Sequence, residues 1–157
     1  MNDEGGKFEC IVVGDLIMKQ ITQKSEIGEK ITDALHNQSY VPDEIVIQLV
    51  RPEIEKLEQG QKSWIIEGFP MTEVQAVALQ KMGIIPDNFI MLDQTQQQTL
   101  ERLRVKYSGD EAPSFLQCKD DPVRLEQLAR TAAAEYKLQI SGVKKICQGQ
   151  ITELEVG

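Results

Sequence analysis

The chain has 157 residues, 41% of them hydrophobic and 27% charged, the size and make-up of one domain around one core. Its formal net charge of −8 argues against nucleic acid or an anionic membrane as a main partner. No apolar run approaches the roughly 20 residues of a membrane-spanning helix, and the acidic, glycine-rich start resembles neither a secretory signal nor an Arg-rich transit peptide, so a cytosolic or cytoskeletal location is expected.

In chain order, Phe8-Glu9-Cys10-Ile11-Val12-Val13 is rich in β-branched residues and closed by Gly14-Asp15, which predicts a buried strand entering a turn. Leu16 to Gln20 is read as a short helix. Ser25 is the expected N-cap of a second helix, whose Ile27, Ile31 and Leu35 share one face. Pro42 suits the first turn of a third helix with Ile45, Leu49 and Val50 as its stripe, and Pro52 should kink or split it. Trp64-Ile65-Ile66 is a second buried strand, and Thr72-Glu73-Val74-Gln75 has capping-box spacing for a helix ending at Met82-Gly83. Asn88 to Leu92 is a third strand, and Thr95 to about Lys106 is helical. Tyr107 to Lys119 is expected as loop. Asp121-Pro122 opens a long helix to about Leu138, and Val143 to Cys147 is read as a last short strand. Strands alternating with helices predict an α/β domain with a parallel sheet, spanning 1–157 as a single unit. Cys10, Cys118, Cys147 and the single His36 are too scattered for a zinc site; they are read as reduced structural residues, and no cofactor is expected.

Three segments carry a family likeness. They are Val13-Gly14-Asp15-Leu16-Ile17 followed by Ser25-Glu26-Ile27-Gly28-Glu29-Lys30-Ile31; then Val41-Pro42-Asp43-Glu44-Ile45-Val46; and finally Trp64-Ile65-Ile66-Glu67-Gly68-Phe69-Pro70-Met71-Thr72 with Gln75-Ala76 and Gly83-Ile84-Ile85-Pro86-Asp87. In this order and spacing the chain resembles the adenylate kinases among the nucleoside monophosphate kinases, over roughly residues 8 to 106 and more faintly beyond. The resemblance implies a three-layer fold with a parallel sheet, a remnant of the monophosphate-binding subdomain at about 15–60, and a shortened lid loop at about 107–119.

The same resemblance implies losses. A phosphate-binding loop needs glycines in a turn, amides aimed at phosphate, and a Lys with Ser or Thr at a helix N-terminus. The family places that loop before the segment matching Phe8; residues 1–7 do not carry it, and Gly5-Gly6-Lys7 is only an echo. The expectation is a chain without the family's P-loop and first strand. Met18 and Met71 stand where the family has arginines for the monophosphate's phosphate, Val13 replaces a Thr that contacts it, and Cys118 stands where an Arg precedes the Asp-Asp pair. Replacing a fork-shaped cation by Met removes both charge and bidentate geometry. Vestiges remain at the nucleotide-binding positions Gly14, Asp15, Gly68, Phe69, Pro70 and Gln75. Arg102 matches the arginine over the ATP base, and Lys106 matches a catalytic arginine. Glu67 replaces an Asp that helps hold magnesium. Read from the residues alone, Gly68 and Pro70 shape a turn, Gln75 completes a cap, and Arg102 is a solvated helix residue.

The reading is a pseudoenzyme: no catalytic residues, weak or no nucleotide binding, and a protein partner in a larger assembly, with a ciliary axoneme as one setting implied by the family. Two alternatives stand beside it: half of a split adenylate kinase whose P-loop comes from another polypeptide, and an AMP-binding module without transfer activity. In the family's strand order, 2-3-1-4-5, loss of the first strand opens a central gap of roughly 10 Å. Either the flanking strands, here Trp64–Ile66 and Asn88–Leu92, pair directly, or a partner's segment enters.

Overall fold

A computed structural model describes residues 8–37, 40–108 and 121–156. The chain divides into two compact units, Met1–Phe69 and Pro70–Gly157.

The first unit holds β1 (Glu9–Val12), α1 (Val13–Thr22), α2 (Glu26–His36), α3 (Asp43–Gln59) and β2 (Trp64–Glu67). β1 and β2 pair in parallel, from Glu9 opposite Trp64 to Val12 opposite Glu67. Parallel neighbours cannot be joined by a tight turn, and the three helices form the connection. Ile31, Val50 and Ile54 are fully buried, with Ile11, Val13 and Val46 close to it. Ser25 caps α2 as its sequence predicts, its Oγ accepting from the Gly28 amide at 3.0 Å.

Two local expectations for this unit are corrected. Val13, Gly14 and Asp15 do not form a strand end and turn; they are the first turn of α1, which starts directly after β1. Val12 stays extended as N-cap, and the Asp15 carboxylate sits in the first turn, where the helix dipole favours negative charge. Pro52 neither ends nor splits α3, which runs from Asp43 to Gln59. Pro52 and Gln48 are both exposed, so the carbonyl that loses its amide donor can be satisfied by water.

The second unit holds α4 (Glu73–Lys81), β3 (Phe89–Asp93), α5 (Gln96–Ser108), α6 (Pro122–Ile146) and β4 (Ile151–Glu155). β3 and β4 are parallel, from Phe89 opposite Ile151 to Asp93 opposite Glu155. A core of Ala76, Val143 and Cys147 is packed by Phe89, Ile140, Ile146 and Ile151, so α4 and α6 cover one face of this sheet. Asp121 caps α6 by accepting from the Arg124 amide at 2.9 Å. α5 is tied to α6 by Arg104, which meets Glu126 at 2.7 Å, and Arg130 holds the same carboxylate from its other side.

The expected last strand at Val143–Cys147 is corrected: α6 passes Leu138 and continues to Ile146. Val143, Ile146 and Cys147 recur at the three- and four-residue spacing of a helix face, which a short apolar run cannot distinguish from a strand. The strand lies further on, at Ile151–Glu155. Tyr107 and Ser108 finish α5; the rest of the expected lid loop, 109–119, lies outside the described residues. Among the described residues each unit holds one parallel ladder, β1 with β2 and β3 with β4.

The close approach of α1 and α2 gives a test. A Cβ on Gly28 would lie 2.1 Å from the Gln20 carbonyl oxygen, whereas one on Gly14 would meet nothing within 4 Å. Gly28→Ala is expected to lower stability by about 1–3 kcal/mol, the usual cost of forced overpacking. Gly14→Ala, on the same helix pair, is expected to be neutral or to gain up to about 1 kcal/mol from helix propensity. Urea denaturation of the two variants checks this, and equal midpoints would contradict the tight crossing.

Candidate functional site

In open α/β sheets ligands gather at the carboxyl ends of the strands. In the first unit these ends bring Val12 beside Glu67 and lead to Gly14, Asp15 and Met18 on α1 and to Gly68 and Phe69 after β2. Gly68 has φ +82°, a left-handed conformation that favours glycine, and its missing Cβ would lie 3.7 Å from the Val13 Cβ. Phe69 is buried, while Glu67, Gly14 and Asp15 are exposed. Met18 is also an exposed hydrophobic residue. The charges on these two strand ends are therefore acidic.

In the second unit Pro70 is buried and Met71 half-buried. Thr72 caps α4 by accepting from the Gln75 amide at 3.2 Å. Gln75, itself buried, turns its Oε1 back to accept from the Met71 amide at 2.7 Å. The side chain at a position the resemblance assigns to adenine contact thus closes a reciprocal cap, as the residues alone predict. Arg102 is exposed on α5; with the Gln94 amide oriented to satisfy both groups, its oxygen accepts from Arg102 Nη1 at 2.6 Å. Lys106 is exposed near the end of α5. Cys118 lies outside the described residues.

Three other cations of the first unit meet carboxylates of the same unit. Lys30 meets Glu26, Arg51 meets Glu55, and Lys62 meets Glu9 at 2.8–2.9 Å. The hydrogen bond from Lys62 holds Glu9 below the usual carboxylate range, and that from Arg104, with Arg130, does the same for Glu126. These exposed pairs contribute little stability. Magnesium takes six oxygens in near-octahedral geometry. It keeps several waters and needs only one or two carboxylates beside substrate phosphates, a role that the single exposed Glu67 carboxylate fits; among the described residues no three His, Cys, Asp or Glu side chains gather to hold a metal without such help.

Sequence reasoning missed an exposed apolar surface on the second unit, formed by Ile90, Leu92 and Leu154. The signal was present in the alternation of Ile-Thr-Glu-Leu-Glu at 151–155, a period-2 pattern that placing the last strand at 143–147 left unused.

Parallel strands, helical connections and strand ends that meet a helix N-terminus define an α/β class of domain and fit a nucleoside monophosphate kinase-like fold. The sequence model of the adenylate kinase family matches residues 5–143, further than the segments that carry the likeness by eye. The chain belongs to the adenylate kinase family. It is 30% identical over 119 residues to the probable adenylate kinase 2, chloroplastic, of Oryza sativa subsp. japonica, covering 76% of this chain and 41% of the relative. It is 28% identical over 149 residues to the adenylate kinase of Caldicellulosiruptor bescii, covering 92% of this chain and 62% of that one. Adenylate kinase 8 of Xenopus tropicalis is 26% identical over 117 residues, of which this chain spans 22% of the length. The chain thus spans less than two thirds of each of these relatives. Among the described residues no helix is long and apolar enough to cross a membrane.

The reciprocal cap predicts a stability change. Gln75→Leu strands the Met71 amide without its acceptor and is expected to cost about 1–3 kcal/mol. Gln75→Glu keeps an accepting oxygen at the helix N-terminus and is expected to lose less. Thermal melts of both variants read the difference, and an unchanged melting temperature for Gln75→Leu would show that the cap contributes nothing.

Proposed function

We propose that this chain is a non-catalytic, adenylate-kinase-like interaction module, a subunit of a larger assembly. The observation that carries the reading is the charge at the carboxyl ends of β1 and β2. Asp15 and Glu67 stand there, and no lysine or arginine occurs from residue 8 to 18 or from 63 to 80. Phosphoryl transfer rests on positioning and on cations that neutralise spreading charge, and two of the family's arginine positions hold Met18 and Met71. The commitment of Gln75 to the Met71 amide supports the same view. The two-stranded ladders, each with outer edges that pair with nothing among the described residues, support the assembly half of the reading, since an open edge is a template for another chain. A cytoplasmic assembly, with the ciliary axoneme as one case, is the setting suggested by the family likeness.

Losing one charged hydrogen-bond partner costs about 1.5–3 kcal/mol, so two missing arginines weaken AMP binding at least about a hundredfold. The purified chain, given ATP, AMP and magnesium, is expected to form no ADP above a buffer blank. AMP calorimetry is expected to give a millimolar dissociation constant or no heat. Magnesium-dependent ADP formation that Glu67→Ala abolishes would overturn the proposal. Micromolar AMP affinity without transfer would instead favour a monophosphate-binding module.

A further inference from the structure

The backbone of β3 points in two directions. Phe89 donates its amide to the Gln150 carbonyl at 2.9 Å, and the Asp93 carbonyl accepts from the Val156 amide at 3.0 Å. Alternate residues of a strand address opposite neighbours, so Phe89, Met91 and Asp93 turn their N–H and C=O groups to β4. Ile90 and Leu92 turn theirs to the outer edge, where nothing pairs with them among the described residues. Both residues are exposed, at 61% and 57%.

The two outer edges of this sheet differ in charge. β4 addresses its own outer edge through Ile151, Glu153 and Glu155, and charged residues in an edge strand guard it against pairing. β3 has no charged residue from Asn88 to Leu92. Asp93 alternates with Phe89 and Met91 to the side that packs on α6. The opposite face holds Asn88, Ile90, Leu92, Thr152 and Leu154, none of them charged, and there the Thr152 hydroxyl donates to Asn88 Oδ1 at 3.4 Å. An unguarded, apolar edge strand is a template for another strand.

We propose that β3 pairs antiparallel, edge to edge, with β3 of a second copy of this chain, about a two-fold axis at Met91. The outward residues lie symmetrically about Met91, so Ile90 meets the second copy's Leu92 and Leu92 meets its Ile90. Each such pair exchanges both N–H···O bonds with Cα atoms about 5.5 Å apart, and aliphatic neighbours across a ladder are favourable. Asp93 falls opposite the second copy's Phe89, and the two Asp93 residues lie about 14 Å apart. That exceeds the roughly 8 Å over which charges act at physiological salt, so the −8 on each copy opposes this register little. The closed pair consumes the β3 edge, and the glutamates guard the β4 edge, so association stops at the dimer. One short edge buries less than the roughly 1,600 Å² of a standard interface, so the dissociation constant is on the order of 100 µM. The proposal rests on the interaction reading above and names its surface and its partner.

Sedimentation of the whole chain is expected to show monomer at about 1 µM and mostly dimer at roughly 500 µM, with association that strengthens as salt rises. Leu92→Pro removes an amide that faces the outer edge and not β4, a position where an edge strand tolerates proline. It is expected to fold and to weaken association at least about tenfold. Cross-linking reads the register even where that variant fails to fold. Ile90→Cys and Leu92→Cys chains, each also carrying Cys10→Ser and Cys118→Ser, are mixed and oxidised by dissolved oxygen. Positions 90 and 92 of opposite copies sit about 5.5 Å apart, within disulfide reach, whereas like positions lie about 8 Å apart, beyond it. The mixture is therefore expected to form at least about five times more disulfide dimer than either variant alone. Monomer at every concentration, undiminished association of folded Leu92→Pro, or equal cross-linking in the mixture and the single variants would overturn the proposal. ADP formation measured on the same samples separates the two readings: an active dimer overturns only the non-catalytic one, and an inactive monomer overturns only this one.

Discussion

Parallel pairing is the constraint on which both units depend. Two parallel strands cannot be closed by a hairpin, so β1 reaches β2 only through α1, α2 and α3. In the second unit β3 reaches β4 through α5, the connecting segment and α6. Each ladder is only four or five residues long. Each strand satisfies its backbone groups along one edge, and so few bonds cannot hold a unit together alone. The cohesion comes from the helices: Ile31, Val50 and Ile54 in one unit, Ala76, Val143 and Cys147 in the other. The strands in turn fix where the helix termini and their caps stand.

What was legible in the sequence follows from how local each interaction is. The caps at Ser25, Thr72 and Asp121 are bonds between residues three apart, and the residue types reveal them directly. Parallel architecture was legible from the alternation of strand and helix. The start of α1 was not, because a β-branched run ending in Gly-Asp reads as strand and turn until pairing with β2 stops the strand at Val12. The end of α6 was misread because Val143, Ile146 and Cys147 serve a helix face equally well. β4 was hidden by its own composition: two glutamates among five residues depress the strand signal, and only pairing with β3 reveals the alternation.

The candidate site divides along the same line. Its residue types were readable, since methionine cannot do what arginine does wherever it is placed. Its geometry was not, because Gln75 could have faced a pocket or its own helix. The 2.7 Å contact with the Met71 amide shows that the helix N-terminus claims this side chain. Gly68 at φ +82° likewise belongs to the chain reversal after β2, a backbone demand that exists with or without a nucleotide.

Charge separates the two ends of the candidate site's chemistry from the rest of the surface. An acidic protein can hold a phosphate group only where cations gather locally, and the carboxyl ends of β1 and β2 carry Asp15 and Glu67 with no lysine or arginine from residue 8 to 18 or from 63 to 80. In the second unit the pattern of alternation sorts charge from apolar surface: Asp93, Glu153 and Glu155 share the side of the sheet that packs on α6, where Lys144 meets Glu153, while Ile90, Leu92 and Leu154 occupy the other. Register alone thus decides which face of this sheet is ionic and which is apolar.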